Sequence, residues 1–133
     1  MSLVHQFLDY AVSNQDATIT YRASDMILSV VSDAAYLVLP KARSRAAGLF
    51  TLTDKTTKNP SASKPNGAVH VLCKTLPGAP PSAAEAETGA LFLNAQVAIS
   101  IITALEEIDH EQPKTGTPLE TDNSTAHAIL TAQ

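Results

Sequence analysis

The chain has 133 residues, a mass of 14.0 kDa and a net charge of −4. That length holds one domain, which buries roughly two-thirds of its unfolded surface without a staple, and the single cysteine, Cys73, excludes an internal disulfide framework or a cysteine-based zinc cluster. With 44% hydrophobic and 17% charged residues, no Trp, three Tyr and three Phe, the chain is apolar enough to collapse, and its core must come from Ala, Val, Leu and Ile.

In chain order, Leu3, Phe7, Leu8 and Ala11 share one side of a helix over about 3–13 that Asn14 ends. Residues 1–17 lack the basic start and apolar block of a signal peptide, and no run approaches the roughly 20 apolar residues of a membrane span. Thr18–Tyr21 is β-prone. Residues 26–33 form a nearly continuous apolar strand of the kind expected when both faces are covered. Pro40 interrupts, residues 46–53 read as a further strand, and residues 54–67 are rich in Lys, Thr, Ser, Asn and Pro, which predicts a mobile loop. Residues 68–75 (AVHVLCKT) alternate and pair antiparallel with 46–53, with Cys73 as a core thiol. A stiff Pro-rich connector leads to Ser82, an N-cap, with Glu85 three residues on completing a capping box. The long helix, about 82–108, carries an apolar stripe through Ala84, Leu91, Ala95, Ala98, Ile102 and Leu105. A short strand follows near 117–121, and Asp122-Asn123-Ser124 caps a last helix over about 123–132. The order predicts a mixed α/β domain: an antiparallel hairpin feeding into β-α-β-α.

Charge is unevenly spread. Residues 41–74 hold Lys41, Arg43, Arg45, Lys55, Lys58, Lys64 and Lys74 against Asp54 alone, a net +6 that leaves −10 for the remainder. Such a stretch suits an anionic partner such as a phosphate backbone; a solvated lysine loop is the plain alternative.

Three acids stand where a merely soluble domain gains little from them: Asp33 closes the most apolar strand, Asp122 closes the short one, and Glu87 sits in the first turns of the long helix. At about 100° per residue, Glu87 lies about 40° and Ala84 about 20° from Leu91, whereas Glu85 lies about 120° away and faces solvent. Carboxylates gathered this way repel each other and resist burial unless a cation neutralises them, and all-oxygen ligation suits Mg²⁺ or Mn²⁺. Each acid also has an ordinary reading: Asp122 as N-cap, Asp33 as a strand end, Glu87 in the helix dipole. The four histidines show no metal-ligand spacing, and no Gly-rich phosphate loop follows a strand.

Four segments, in order, resemble the ribonuclease H domain of LTR-retrotransposon Pol polyproteins, most like the copia-type branch. Ser32-Asp33-Ala34-Ala35-Tyr36 is similar to its first aspartate motif, S-D-A-D/S-W/Y; Lys41-Ala-Arg-Ser-Arg-Ala-Ala-Gly48-Leu-Phe50 to R-K-S-T-S-G-Y-V-F; Ser82-Ala-Ala-Glu85-Ala-Glu87-Thr-Gly-Ala90-Leu91 to S-S-T-E-A-E-Y-x-A-L; and Thr121-Asp122-Asn123-Ser124-Thr125-Ala126 to C/T-D-N-Q/S-S/T-A. The resemblance covers roughly 26–133 and implies a ribonuclease H-like fold, a mixed sheet with acids at its centre. Residues 1–25 would be a connection-like leader, and the domain over 26–133 would lack the family's C-terminal strand and helix, which supply a fourth metal-binding acid. No position is assignable to the loop histidine of some members, and Thr88 and Gly89 replace the residues after the family glutamate.

The resemblance further implies Asp33, Glu87 and Asp122 as the catalytic, metal-binding acids for two Mg²⁺ (or Mn²⁺) ions, Asp33 bridging them. Lys41, Arg43, Arg45 and Asn123 would contact an RNA–DNA hybrid whose RNA strand is hydrolysed. The implied partners are that hybrid and an adjacent reverse transcriptase domain, with no membrane, in the cytoplasm, a virus-like particle or the nucleus. A second copy joined through an uncovered sheet edge is a further expected partner. The rival expectation is a non-catalytic remnant that binds nucleic acid or protein.

Overall fold

The computed structural model describes residues 2–55 and 66–122, so the helix expected over 123–132, Asn123, and Lys58 and Lys64 of the basic stretch lie outside the described residues. The elements run α1 (Leu3–Ser13), β1 (Ile27–Leu39), β2 (Arg43–Thr53), β3 (Ala68–Thr75), α2 (Ala83–Glu107) and β4 (Leu119–Thr121). They form a mixed α/β protein with one four-stranded sheet in the order β3-β2-β1-β4. β1–β2 and β2–β3 pair antiparallel and β1–β4 parallel.

β1 and β2 form a hairpin around Pro40-Lys41-Ala42, where Lys41 (φ 64°) and Ala42 (φ 51°) take left-handed conformations. β1 runs six residues past Asp33, which is therefore inside the strand rather than at its end. The extension is irregular: the register shifts between Ala35 and Leu39, Leu37 has φ 54°, and its N–H donates to the buried Ser44 hydroxyl at 3.0 Å. Thr18–Tyr21 is not a strand. It runs beside the start of β3 through the Gly67 N–H to the Thr20 carbonyl (2.9 Å) and the Tyr21 hydroxyl to the Ala68 carbonyl (3.0 Å).

α2 covers one sheet face. Leu28 and Val30 of β1, Ala46 and Phe50 of β2 and Leu72 of β3 pack against Ala86, Ala90, Ala98 and Leu105 of the helix. Its N-terminus is fixed by the Ser82 hydroxyl, which accepts from the Glu85 N–H at 3.2 Å. The buried stripe runs Ala86, Glu87, Ala90, Leu91, Asn94, Ala98 and Leu105, turned roughly 50° from the expected one. The small Ala86 and Ala90 let the helix approach the sheet on that side, leaving Ala84, Ala95 and Ile102 half-buried. By length and apolar character α2 also meets the measure of a membrane span, contrary to expectation, yet this stripe, with Glu87 and Asn94 in it, rests on the sheet.

The opposite sheet face is open among the described residues. Val31, Leu49 and Val71 stand in register across three strands and are exposed, Val71 at 63%. Cys73 belongs to this face and is exposed, not a core thiol, because Leu72 takes the inward position. Among the described residues β1 is thus covered on one face; coverage on both was expected. α1 forms over the expected residues but buries none of them.

Candidate metal centre

Three local devices bring the acids together. The parallel pairing sets Val31 beside Glu120 and Ser32 beside Thr121, so the next residues along the two strands are Asp33 and Asp122. The Tyr36 hydroxyl donates to the Pro81 carbonyl (3.1 Å), tying the far half of β1 to the connector that launches α2. The third device is Asn94, fully buried, whose Nδ2 donates to the Ser32 Oγ at 2.8 Å and the Ala47 carbonyl at 2.9 Å. It locks α2 over β1 and β2 one residue from Asp33. Gly48 makes this contact possible: a Cβ there would collide with the Asn94 amide, lying 2.7 Å from its Cγ.

The result is a cluster in which a carboxylate oxygen from each of Asp33, Glu87 and Asp122 lies within 4.8 Å of the others. Asp33 and Asp122 are exposed; Glu87 is 6% exposed. Burial pushes the Glu87 carboxyl above its usual range, the Ala34 N–H that it accepts from pulls it down, and the Asp33 and Asp122 charges raise it further. Its Oε2 is buried and meets no hydrogen-bond partner among the described residues. A buried oxygen left so is costly, and here it belongs to the one carboxylate that two neighbouring negative charges also disfavour. The donor set is all carboxylate oxygen, which suits a hard divalent cation such as Mg²⁺ or Mn²⁺ rather than zinc.

The basic residues divide. Arg45 pairs with Ala35 and Ala47 with Asp33, so Arg45 is the diagonal neighbour of Asp33 on the same sheet face, about 7–8 Å away. Lys41 and Arg43 are exposed at the hairpin end, the Arg43 Nε donating to the Pro40 carbonyl at 3.3 Å. Of the sequence candidates, the structure thus gathers the three acids with Arg45 close by and puts Lys41 and Arg43 farther along. Asn94 escaped the sequence reading, although a signal existed. It follows Glu87 by seven residues, two helical turns, and so is a polar residue inside an apolar stripe.

Comparison of the chain with models of known families, with curated proteins and with solved structures finds no match.

Proposed function

We propose that Asp33, Glu87 and Asp122 hold divalent cations for phosphodiester hydrolysis, and that the substrate is the RNA strand of an RNA–DNA hybrid in a ribonuclease H-like domain of a retrotransposon reverse transcriptase. The observation that carries the cation site is the convergence of three carboxylates within 4.8 Å around a buried Glu87 oxygen that has no hydrogen-bond partner among the described residues. The substrate class rests on the four ordered motifs, and the fold reading also on the mixed sheet with Asp33 on an inner strand, β1.

When bound, two Mg²⁺ or Mn²⁺ ions would lower the pKa of an attacking water and stabilise charge on the leaving oxygen. The chain's own part is positioning. Asp33 presents its carboxylate from β1 and Asp122 from the residue just past β4, and Glu87 is held from α2 by the Asn94 lock and the Ala34 N–H. Arg45 offers a cation to the backbone phosphates on the face that carries Asp33, and Lys41 and Arg43 extend that surface. The hybrid is read by backbone shape and RNA 2′-hydroxyls.

Cleavage of a hybrid with labelled RNA, in Mg²⁺, tests this: the wild-type chain cuts the RNA strand, and Glu87→Gln binds the hybrid but does not cut it. Equal cleavage by both overturns the assignment. The exposed Val31–Leu49–Val71 row favours a second reading, a non-catalytic interaction module. Hybrid binding without cleavage in wild type, in Mg²⁺ and in Mn²⁺, would select it.

A further inference from the structure

A groove lies away from the acids. About 690 Å³ in volume, it runs between α2 and strands β2 and β3, with Leu52, Val69, Leu93, Val97, Ile101 and Ile108 among its walls. Its α2 wall, from Leu93 to Leu105, is about 18 Å long. The same chain carries an uncovered apolar helix. α1 is capped by Ser2 and Asn14 and buries nothing, with Leu3 83% and Phe7 68% exposed. Leu3, Val4, Phe7, Leu8 and Ala11 fall within about 140° of its circumference, with Asp9 on the far side. α1 is about 16 Å long, which fits the groove, and an 11-residue helix alone in water is marginal and needs packing to persist.

The connection between the two is also visible. Residues 14–26 contain no helix or strand. The arm that carries α1 is pinned at Thr20 and Tyr21 to Gly67 and Ala68, next to Val69 in the groove wall, while α1 itself buries no residue. An apolar helix on an arm and a groove of matching length, both uncovered among the described residues, with an anchor at the groove's rim, are the parts of an exchanged interface. We propose that α1 of one chain docks in the α2–β3 groove of a second copy, and reciprocally, so that the protein is a symmetric dimer joined by exchange of its N-terminal helices. Two insertions, each covering five apolar side chains and the facing groove walls, bury on the order of the 1,200–2,000 Å² of a standard interface.

Sedimentation of the full chain at tens of micromolar, with disulfide trapping in a Cys73→Ser background, tests this. The expected results are a dimer; a dissociation constant raised at least tenfold in Phe7→Asp, which leaves the body folded because Phe7 is 68% exposed and lies outside the core; and an interchain disulfide when Phe7→Cys chains are mixed and oxidised with Ile101→Cys chains. A monomeric wild type, a Phe7→Asp chain that dimerises as tightly as wild type, or a Phe7→Cys/Ile101→Cys chain that closes its disulfide within itself would overturn the proposal.

Discussion

Substituting Gly48 by Ala tests whether the Asn94 lock holds α2 on the sheet. The backbone at Gly48 has no left-handed φ, so the cost is steric. The new Cβ lies 2.7 Å from the Asn94 Cγ, and Asn94 must surrender its bonds to the Ser32 hydroxyl and the Ala47 carbonyl. Two buried hydrogen bonds are worth about 1 kcal/mol each, and leaving their partners unsatisfied adds about 1 kcal/mol more. Against this, Ala in a strand gains roughly 0.5–1 kcal/mol over Gly. The net loss is about 2 kcal/mol, a fall in melting temperature of about 6–10 °C for a chain of this size. Thermal and urea unfolding of Gly48→Ala, Asn94→Ala and the double variant measure it. Both single changes remove the same interaction, so the double variant should lose less than their sum by about 1–2 kcal/mol. An unchanged Gly48→Ala melting temperature, or strict additivity, refutes the lock.

The raised Glu87 pKa has a signed consequence for the metal-free protein. The native state holds the proton more tightly than the unfolded chain, so stability is full below the ordinary value of 4.5 and is lost as pH rises through the higher native value. Glu87→Gln should therefore melt higher than wild type near pH 7 in chelator, with the difference shrinking toward pH 4; calorimetry at several pH values reads it. Ser82→Ala removes the acceptor at the start of α2 and should cost about 1 kcal/mol in urea unfolding. Arg43→Ala/Arg45→Ala should weaken hybrid binding and lower the slope of log affinity against log salt by up to about 2, measured by anisotropy between 50 and 200 mM salt.

Much of this architecture is legible in the sequence because period and capping agree. The β2–β3 pairing follows from alternation on both sides of a loop-rich stretch, α2 from Ser82 and its long apolar run, and the inward direction of Glu87 from its angle to Leu91. What is not legible is the phase of an alternation whose two faces are both apolar. In AVHVLCKT, Leu72 and the pair Val71/Cys73 are equal candidates for burial, and only the register with Phe50 and Leu49 decides between them. The same ambiguity hides the exposure of Val31 in an unbroken apolar run. The extension of β1 past Asp33 carries a hydrogen bond from the Leu37 N–H to the Ser44 hydroxyl, a contact seven residues apart that no periodicity encodes. The convergence of Asp33 with Asp122 comes from a parallel pairing between segments almost ninety residues apart, which motif order suggests and local pattern does not. Thr18–Tyr21 has β propensity, but its hydrogen bonds go to a glycine and a carbonyl at the edge of β3 without forming a ladder.

The central claim is a cation site made by three carboxylates, and calorimetric titration of Mg²⁺ and Mn²⁺ into the wild-type chain at pH 7, beside Asp33→Asn and Glu87→Gln, tests it most directly. Saturable binding by wild type that is lost or weakened more than tenfold in both variants is the predicted result. No binding by wild type, or binding that both variants retain in full, would contradict it.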